Sequence, residues 1–392
     1  MDFKYGVRMA LPAKKQKFRI VETSRPEVPA FIADIEPYSG VSSFGKILKN
    51  PEITHYKLDW NESTITPSPK VKKTLMSFLD NYNLLNYYPA LFSPNLTLKL
   101  QSYVGYPADH ILVTNGSDDA LELICKTFLE PGDEVAYPDP TYTHFLVFAQ
   151  SRGASVEPII FEDPFAPEVD EIISAITPKT KIVYLPNPNN PTGALLSNDD
   201  LRKLATAASG KILIVDEAYY EFAGQSALEI LSEFENVVVT RSFSKAFGLA
   251  AVRVGYLIAQ PWFVNELKRL HNPKSVNQFA QVAASAALDD LPYYNRYVEE
   301  VRESKALFER WCKHRSISFR NTPANYVLIN TERVEEVVAH LSGKGIHVRD
   351  RSNMRDMAGY IRFNLGTIEQ TRQIMLRFEG VLKELGLLKD EE

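Results

Sequence analysis

The chain has 392 residues, 45% of them hydrophobic, which is enough to build two domains with cores of their own. Its net charge of −5 is spread along the sequence, so no basic surface argues for nucleic acid or membrane binding, and a small-molecule function is favoured. The seven histidines lack the spacing of metal ligands, and no apolar run reaches the roughly 20 residues of a membrane span.

The N-terminal residues 1–33 are predicted to form a solvated arm, because lysine and arginine greatly outnumber acidic residues in its first part. Residues 34–64 are predicted to join a smaller C-terminal domain. Cys125 lies in a helical pattern and is expected in the core. With only Cys312 besides it, no disulfide framework is indicated, which fits a reducing compartment and hence a cytoplasmic protein.

From residue 65 to 275, apolar segments of strand length alternate with amphipathic segments of helix length, which is typical of an α/β fold. The segments KIVYL (181–185), KILIV (211–215) and NVVVT (236–240) are apolar almost throughout, as expected of strands covered on both faces. We therefore predict a three-layer α/β sandwich with a mainly parallel central sheet over residues 65–275.

The segment after VTNGSDDA (113–120) is predicted to be a helix, with Ser117 or Asp118 as its cap. Past residue 275, two long helical patterns are followed by three short strand patterns, YVLIN, IHVRD and YIRFNLG. These segments predict a smaller α+β domain over residues 276–392.

Polar residues follow three of the predicted strands. Asn190 comes after KIVYL, Asp216 and Tyr219 come after KILIV, and Lys245 comes after NVVVT. Ligands of open parallel sheets bind at the carboxyl ends of the strands, so these side chains are expected at one edge. Each residue alone has an ordinary explanation as a helix cap, a turn residue or a surface lysine, whereas together they fit one ligand, pyridoxal phosphate.

Pyridoxal phosphate carries an aldehyde that condenses with a lysine amine, and its ring withdraws electrons only while the ring nitrogen stays protonated. Lys245 is therefore predicted to be the Schiff-base lysine and the catalytic base. Asp216 is predicted to be the buried carboxylate that pairs with the ring nitrogen. Asn190 and Tyr219 are predicted to donate hydrogen bonds to the 3-oxygen of the ring.

The phosphate group of this cofactor needs backbone N–H groups at a helix start together with a fixed cation. An aromatic side chain is also expected to stack on the ring, and Tyr142 is predicted in that place, with Tyr137 and Phe145 as alternatives. The predicted phosphate site consists of Gly116, Ser117, Asp118, Ser242, Ser244 and Arg253.

Five motifs together resemble the fold-type I pyridoxal-phosphate aminotransferases, most closely the histidinol-phosphate aminotransferase branch. They are TNGSDDALELI, PNPNNPTG, DEAYYEF, SFSKAFGLAAVRVGY and YIRFNLGT, in that order, and the resemblance covers roughly residues 34 to 380. It implies a transaminase that uses a small-molecule amino donor and a 2-oxo acid acceptor. It also implies a homodimer with shared active sites, in which Tyr88, or its neighbour Tyr87, reaches the cofactor phosphate of the partner.

The resemblance further implies substrate-binding residues. Arg362 would clamp the substrate carboxylate, and Asn325 would support that site. Tyr38 and Arg349 would face the substrate side chain. The sequence departs from the branch at LDWNESTITP (58–67), where Trp60 occupies a position that usually holds a small residue, so the side-chain specificity is left open.

Other functions would use the same cofactor residues. An amino-acid decarboxylase or an oxidase on this scaffold needs the same lysine, aspartate and asparagine, because contacts to the substrate select which bond at its α-carbon is broken. A non-catalytic module that only binds the cofactor would not need Asp216 and Arg362. A nicotinamide dehydrogenase is disfavoured, since no G-x-G-x-x-G pattern follows a predicted strand.

Overall fold

The computed structural model describes residues 26–36, 40, 42–81 and 85–388. Its helices are α1 (Ala30–Ala33), α2 (Phe44–Lys49), α3 (Pro69–Asn81), α4 (Pro94–Val104), α5 (Ser117–Phe128), α6 (His144–Gln150), α7 (Val169–Ser174), α8 (Asn198–Ala207), α9 (Tyr220–Ala223), α10 (Leu228–Leu231), α11 (Pro261–Lys268), α12 (Gln278–Leu288), α13 (Leu291–His314), α14 (Val334–Gly343) and α15 (Ile368–Glu384). Its strands are β1 (Tyr56–Lys57), β2 (Ile111–Thr114), β3 (Glu134–Asp139), β4 (Ser155–Ile160), β5 (Thr180–Pro186), β6 (Ile212–Asp216), β7 (Val237–Ser242), β8 (Gly255–Ala259), β9 (Ser318–Arg320), β10 (Tyr326–Asn330), β11 (Ile346–His347), β12 (Arg349–Asp350) and β13 (Tyr360–Asn364).

Seven strands form the central sheet in the order β2-β8-β7-β6-β5-β3-β4. The pairs from β7 to β4 run parallel, and β8 runs antiparallel to both of its neighbours. The mainly parallel sheet predicted from the sequence is therefore confirmed. The three apolar segments form β5, β6 and β7 in adjacent positions, so the residues that follow them meet at one edge.

Helices cover both faces of this sheet. Along β5, Val183 and Leu185 pack into one hydrophobic core, while Ile182 and Tyr184 pack into the core on the opposite face. The alternation arises because successive strand residues point to opposite faces, and it explains why the strand has almost no polar residue. Helices α5, α6 and α11 cover the face of Tyr184, and α4, α8 and α12 cover the other, which completes the three layers.

The start of α5 differs from the prediction. Gly116 is the N-cap, with a backbone φ of 87°, and no side chain caps the helix, so the prediction that Ser117 or Asp118 caps it was wrong. The side chain of Asp119 instead accepts a hydrogen bond from the amide of Asn115. The expectation for Cys125 is confirmed, because this thiol is fully buried on α5.

A second, antiparallel sheet has the strand order β12-β13-β10-β9. It packs with α13, α14 and α15 around a core of its own, in which Leu58 from the N-terminal part of the chain also takes part. Strand β1 pairs in parallel with β11 beside this sheet. The N-terminal segment and the C-terminal third thus share one core, whereas α12 packs on α3 and α4 over the central sheet. The three boundaries between the four predicted segments stay a prediction.

In the part of the chain that the structure describes, every helix is too short or too polar to cross a membrane. The same residues hold no group of three or more side chains suited to a metal ion.

Candidate active site

A cavity of about 870 Å³ opens at the carboxyl ends of β5, β6 and β7. It is the place that the sequence predicted for ligand binding, because the polar residues after these strands all reach it. The predicted site residues in its wall are Ser117, Asp118, Tyr142, Asn190, Asp216, Tyr219, Ser242, Ser244, Lys245, Arg253, Arg349 and Arg362.

One end of the cavity is built for an anion. The uncapped start of α5 lies beside Arg253, whose Nη2 is 3.1 Å from Oδ2 of Asp118 and whose Nη1 is 3.5 Å from Oγ of Ser244. Two glycines allow close contacts at this end of the cavity, because neither carries a Cβ. A Cβ at Gly255 would lie 2.5 Å from the amide nitrogen of Ser117, and one at Gly116 would lie 2.5 Å from Nη2 of Arg253. The helix N-terminus, the guanidinium and nearby hydroxyls could hold a phosphate group, and this arrangement is the candidate phosphate cradle.

Asp216 ends β6 and is 6% exposed at the cavity wall. Its Oδ2 accepts a hydrogen bond from Oη of Tyr184 at 3.1 Å, and its Oδ1 accepts one from Oγ1 of Thr240 at 3.1 Å. Burial raises the pKa of Asp216 to about 6, although these hydrogen bonds act in the opposite direction. A carboxylate in such a position pairs favourably with a protonated ring nitrogen.

Asn190 lies in the segment that follows β5, and Tyr219 lies in the segment that follows β6. Nη1 of Arg362 donates to Oδ1 of Asn190 at 2.6 Å, and Nδ2 of Asn61 donates to Oη of Tyr219 at 2.9 Å. Because an arginine can only donate, the amide of Asn190 keeps its Nδ2 as a donor for a ligand. The hydroxyl of Tyr219, which accepts from Asn61, likewise keeps its own proton to donate.

Arg362 is a buried cation that lines the cavity. Its guanidinium is held by neutral acceptors, Oδ1 of Asn190 and the carbonyl oxygen of Asp59, both at 2.6 Å. Its Nε is buried without a hydrogen-bond partner, and no described carboxylate forms an ion pair with it. Burial lowers the pKa of this guanidinium. A buried cation without an anionic partner is costly, so the site is suited to an anionic substrate group.

Lys245 lines the same cavity as Asp216 and contacts the loop 59–62. Its Nζ donates to the carbonyl oxygen of Trp60 at 2.9 Å. The other three carbonyl oxygens of the loop also accept hydrogen bonds from distant side chains: Arg362 donates to residue 59, Asn325 to residue 61 and Asn364 to residue 62. The backbone of this loop is therefore fixed. The loop borders the end of the cavity that is lined by Lys57, Glu62, Arg349, Arg351 and Arg362, the candidate substrate end.

The substrate end of the cavity carries several more charges. Nζ of Lys57 is 3.0 Å from Oδ1 of Asp59, also contacts Glu62, and lies 5.0 Å from the ring centroid of Trp60. Arg349 and Arg351 line the same end, and Arg349 lies opposite Arg362 in the pairing of β12 with β13.

Tyr142 lies at the cofactor end of the cavity. Its Oη donates to Oδ1 of Asp118 at 2.9 Å. The alternative Phe145 is fully buried and stacks on Tyr184, so its ring does not line the cavity. Tyr137, the other alternative, is also not part of the cavity wall.

Three of the predicted residues that the structure describes do not line the cavity. Gly116 acts through the backbone at the start of α5, and Asn325 acts through the loop carbonyl of Asn61. Tyr88 is 82% exposed at the surface. Tyr38 lies outside the described residues, as does most of the predicted N-terminal arm.

Sequence reasoning missed several residues of the site. Tyr184 and Thr240 hold Asp216, and Lys57, Glu62 and Arg351 line the substrate end. A signal was available for Tyr184 and Thr240, which are the one hydroxyl-bearing side chain in each of the apolar segments KIVYL and NVVVT. Lys57, Glu62 and Arg351 have no such signal, and only the folded chain brings them to the cavity.

One family model and two named proteins illustrate what this chain is similar to. The family model for aminotransferase class I and II matches residues 54–378. A dihydroxyacetone phosphate transaminase of Campylobacter jejuni is 34% identical over 91% of this chain and 97% of its own length. A histidinol-phosphate aminotransferase of Methanosarcina mazei is 35% identical over 89% of this chain and 95% of its own length.

Solved structures agree on the fold. The histidinol-phosphate aminotransferase of Sinorhizobium meliloti in complex with pyridoxal-5'-phosphate superposes with a TM-score of 0.83. It is 22% identical, and the match covers 93% of this chain and 99% of that chain. The same α/β architecture, with a mainly parallel central sheet, is therefore shared despite limited sequence identity.

Proposed function

The chain belongs to the aminotransferase class I and II family and is a pyridoxal-phosphate-dependent transaminase, and from that premise we propose that it transfers amino groups to and from small phosphorylated substrates. The observation that carries the proposal is the cluster of arginines at the candidate substrate end of the cavity. The buried Arg362 has an Nε without a hydrogen-bond partner, and Arg349 and Arg351 line the same cavity. The named relatives act on histidinol phosphate and dihydroxyacetone phosphate, which are both phosphate monoesters.

The cavity fits the cofactor on its own geometry. The glycine-lined start of α5 with Arg253 suits the phosphate, and Asp216 suits the ring nitrogen. Asn190 and Tyr219 each have one donor left for the 3-oxygen. When bound, pyridoxal phosphate supplies an aldehyde that binds amines and a ring that accepts electrons.

We assign the proton transfer to Lys245. Its Nζ is the group in the cavity wall that combines a nucleophilic amine with freedom to move, since its described acceptor is only a backbone carbonyl. Unprotonated, it would take the proton from the substrate carbon that bears the amino group and pass it on to the cofactor within the same half of the transfer. In the second half it would move a proton in the opposite direction, onto the carbonyl carbon of the acceptor. The carbonyl of Trp60 holds the amine when it carries no substrate or cofactor.

Arg362 orients the substrate. A phosphate or carboxylate accepts hydrogen bonds in the plane of its guanidinium, and this neutralises the buried charge. Arg349 and Arg351 give the other end of the substrate a second anion-binding position. The acceptor would be a 2-oxo acid or a phosphorylated ketone that binds to the same residues.

A visible absorption spectrum tests this function. Amino donors are added one at a time to the protein with bound cofactor, without any oxo acid. We expect a phosphorylated amine to convert the visible band of the lysine-bound cofactor to the near-ultraviolet band of the aminated cofactor, whereas unphosphorylated histidinol leaves it in place. Lys245→Ala should lack the visible band. Carbon dioxide or peroxide release without amino transfer would instead assign the protein to the decarboxylase or oxidase alternative.

We propose that the protein works as a homodimer. Large apolar side chains are exposed on consecutive elements, namely α3, the segment before α4, and α4 itself. Such a surface is typical of a protein interface. These residues are Met76, Leu79, Leu85, Tyr87, Tyr88, Leu91 and Leu98. A partner covering this surface would receive Tyr88 in its own cofactor site.

We also propose a cytoplasmic location. Both cysteines are unpaired thiols, buried in the two different domains' cores. Burial raises the pKa of each thiol, which keeps them protonated and unreactive. Unpaired, buried thiols fit a reducing compartment.

A further inference from the structure

Asp216 is held by hydroxyl groups from the two strands that flank its own. Strand β6 lies between β5 and β7. Thr240 of β7 is the direct register partner of Asp216, and Tyr184 of β5 pairs with Ile214, two residues before it on the same face. Each carboxylate oxygen therefore receives one side-chain hydrogen bond, both of 3.1 Å.

Packing alone does not account for the hydroxyl of Tyr184. The residue is fully buried, and its ring stacks on Phe145 with ring centroids 3.9 Å apart and an interplanar angle of 22°. A phenylalanine would fill the same space without a polar atom, and a buried hydroxyl is costly unless it is hydrogen-bonded. Burial raises the pKa of Tyr184 far above its usual range, so the group stays protonated and remains a donor.

We propose that Tyr184 and Thr240 are positioning residues for catalysis, because their hydroxyls hold the two oxygens of Asp216 so that the carboxylate faces the ring nitrogen of the cofactor. This inference rests on the role proposed for Asp216. Neither residue is part of the cavity wall, so each would act through Asp216.

The same hydrogen bonds keep Asp216 ionised. Burial and the nearby Asp118 favour its protonated form, whereas the hydroxyls of Tyr184 and Thr240 and the backbone amide of Ala218 favour the carboxylate. Loss of one hydroxyl would shift this balance toward the neutral acid at neutral pH. A neutral, reoriented Asp216 would bind a protonated ring nitrogen less well.

The test measures cofactor affinity rather than turnover. The dissociation constant of the cofactor-free protein is determined for pyridoxal phosphate and for its deaza analogue, in which a CH group replaces the ring nitrogen. We expect Tyr184→Phe and Thr240→Val each to weaken binding of pyridoxal phosphate about tenfold at pH 7.5, which corresponds to the loss of one hydrogen bond to a charged group. Neither should weaken binding of the deaza analogue by more than about twofold, since it has no ring nitrogen to pair with Asp216.

Two control variants separate this effect from general damage. Tyr256→Phe removes a hydroxyl from another fully buried tyrosine of the same sheet and should bind as the wild type does. Thr240→Ser keeps the donor and should do the same. Equal weakening for both cofactors, or weakening in Tyr256→Phe as well, would overturn the positioning role.

Asp216→Asn distinguishes a failure of the role proposed for Asp216 from a failure of the role proposed for the two hydroxyls. If this variant binds pyridoxal phosphate as tightly as the wild type, the role of Asp216 itself is wrong and the inference falls with it. If Asp216→Asn weakens binding but Tyr184→Phe and Thr240→Val do not, only the inference about the two hydroxyls is overturned.

Discussion

Arg362 and Asn190 are 172 residues apart in the chain and are joined by a hydrogen bond of 2.6 Å from Nη1 to Oδ1. The bond connects the substrate end of the cavity with the cofactor end. It fixes the orientation of the amide, because a guanidinium cannot accept a hydrogen bond. The side chain proposed to bind the substrate anion thus also sets which atom of Asn190 is left to face the proposed cofactor position.

Arg362→Lys should therefore impair more than substrate binding. A lysine is a single point charge that cannot contact Asn190, the carbonyl of Asp59 and a substrate anion together. We expect kcat/KM to fall about 100-fold, which corresponds to ~2.7 kcal/mol of transition-state stabilisation. Steady-state kinetics measure it, and Arg320→Lys, on an exposed position of the same sheet, should retain wild-type activity.

Gly255→Ala should damage the phosphate cradle. The added Cβ would meet three backbone atoms: the nitrogen of Ser117 at 2.5 Å, the carbonyl carbon of Gly116 at 2.7 Å and the oxygen of Arg241 at 2.9 Å. Backbone must move, so we expect a stability loss of about 1–3 kcal/mol and cofactor binding weakened by at least about tenfold. Calorimetry and cofactor titration measure both. Gly343→Ala, in helix α14 with open space around the new Cβ, should lower neither stability nor cofactor binding.

Leu98→Glu should separate the proposed homodimer. Leu98 is 60% exposed on α4, and a charge buried in an apolar interface costs several kcal/mol. Sedimentation velocity at micromolar concentration should then show a monomer with weakened cofactor binding. Leu376→Glu, a 69% exposed position on α15, serves as the control and should sediment as the wild type does. A wild-type protein that already sediments as a monomer would contradict the proposal.

The buried ion pair of Arg241 and Glu217 should be sensitive to the loss of one partner. Nε of Arg241 is 2.9 Å from Oε2 of Glu217, and both residues are at most 2% exposed. Arg241→Met leaves a buried carboxylate, so we expect a destabilisation of about 3–5 kcal/mol in urea unfolding. Arg202→Met, which breaks an exposed pair with Glu233, should cost at most about 1 kcal/mol. A loss of similar size in both variants would contradict this account.

Stability of the cofactor-free protein should depend on pH through Asp216. Its pKa is raised to about 6 in the folded state, so the folded protein keeps this proton at pH values where the unfolded chain has lost it. Stability from this group is therefore present at low pH and declines as the pH rises from about 4 to 6, by about 3 kcal/mol in total. About half of the decline falls between pH 5 and 7.5.

Urea unfolding of the wild type and Asp216→Asn at pH 5 and 7.5 measures this effect. The wild type should lose stability relative to the variant on going to pH 7.5. Asp80→Asn, at an exposed position of α3, should show no such difference. A gain in relative stability at pH 7.5 would show that Asp216 is ionised more easily in the folded protein than in the unfolded chain.

The central sheet could be predicted because its strands carry local signals. KIVYL, KILIV and NVVVT are short, apolar and each followed by polar residues, and these features alone place Asn190, Asp216 and Lys245 at one edge. The start of α5 could not be predicted in detail. Two candidate polar caps, Ser117 and Asp118, follow Gly116, and neither side chain caps the helix, whose start lies beside Arg253.

The substrate end could be predicted only in part. Arg362 belongs to a motif, whereas Lys57, Glu62 and Arg351 come from segments without one. Their position depends on the pairing of β1 with β11. It also depends on the contacts of the loop 59–62 with Asn325, just before β10, and with Asn364 of β13. Contacts between segments about 300 residues apart leave no periodic pattern in the sequence.

All four backbone oxygens of the loop 59–62 accept a hydrogen bond from a side chain elsewhere in the chain. The anchoring bonds consequently do not depend on which side chain stands at position 60. An exchange of Trp60, whose side chain lines the cavity, would leave in place the backbone oxygens that Arg362 and Lys245 contact. We therefore expect position 60 to be a place where the substrate range can change while those two contacts are kept.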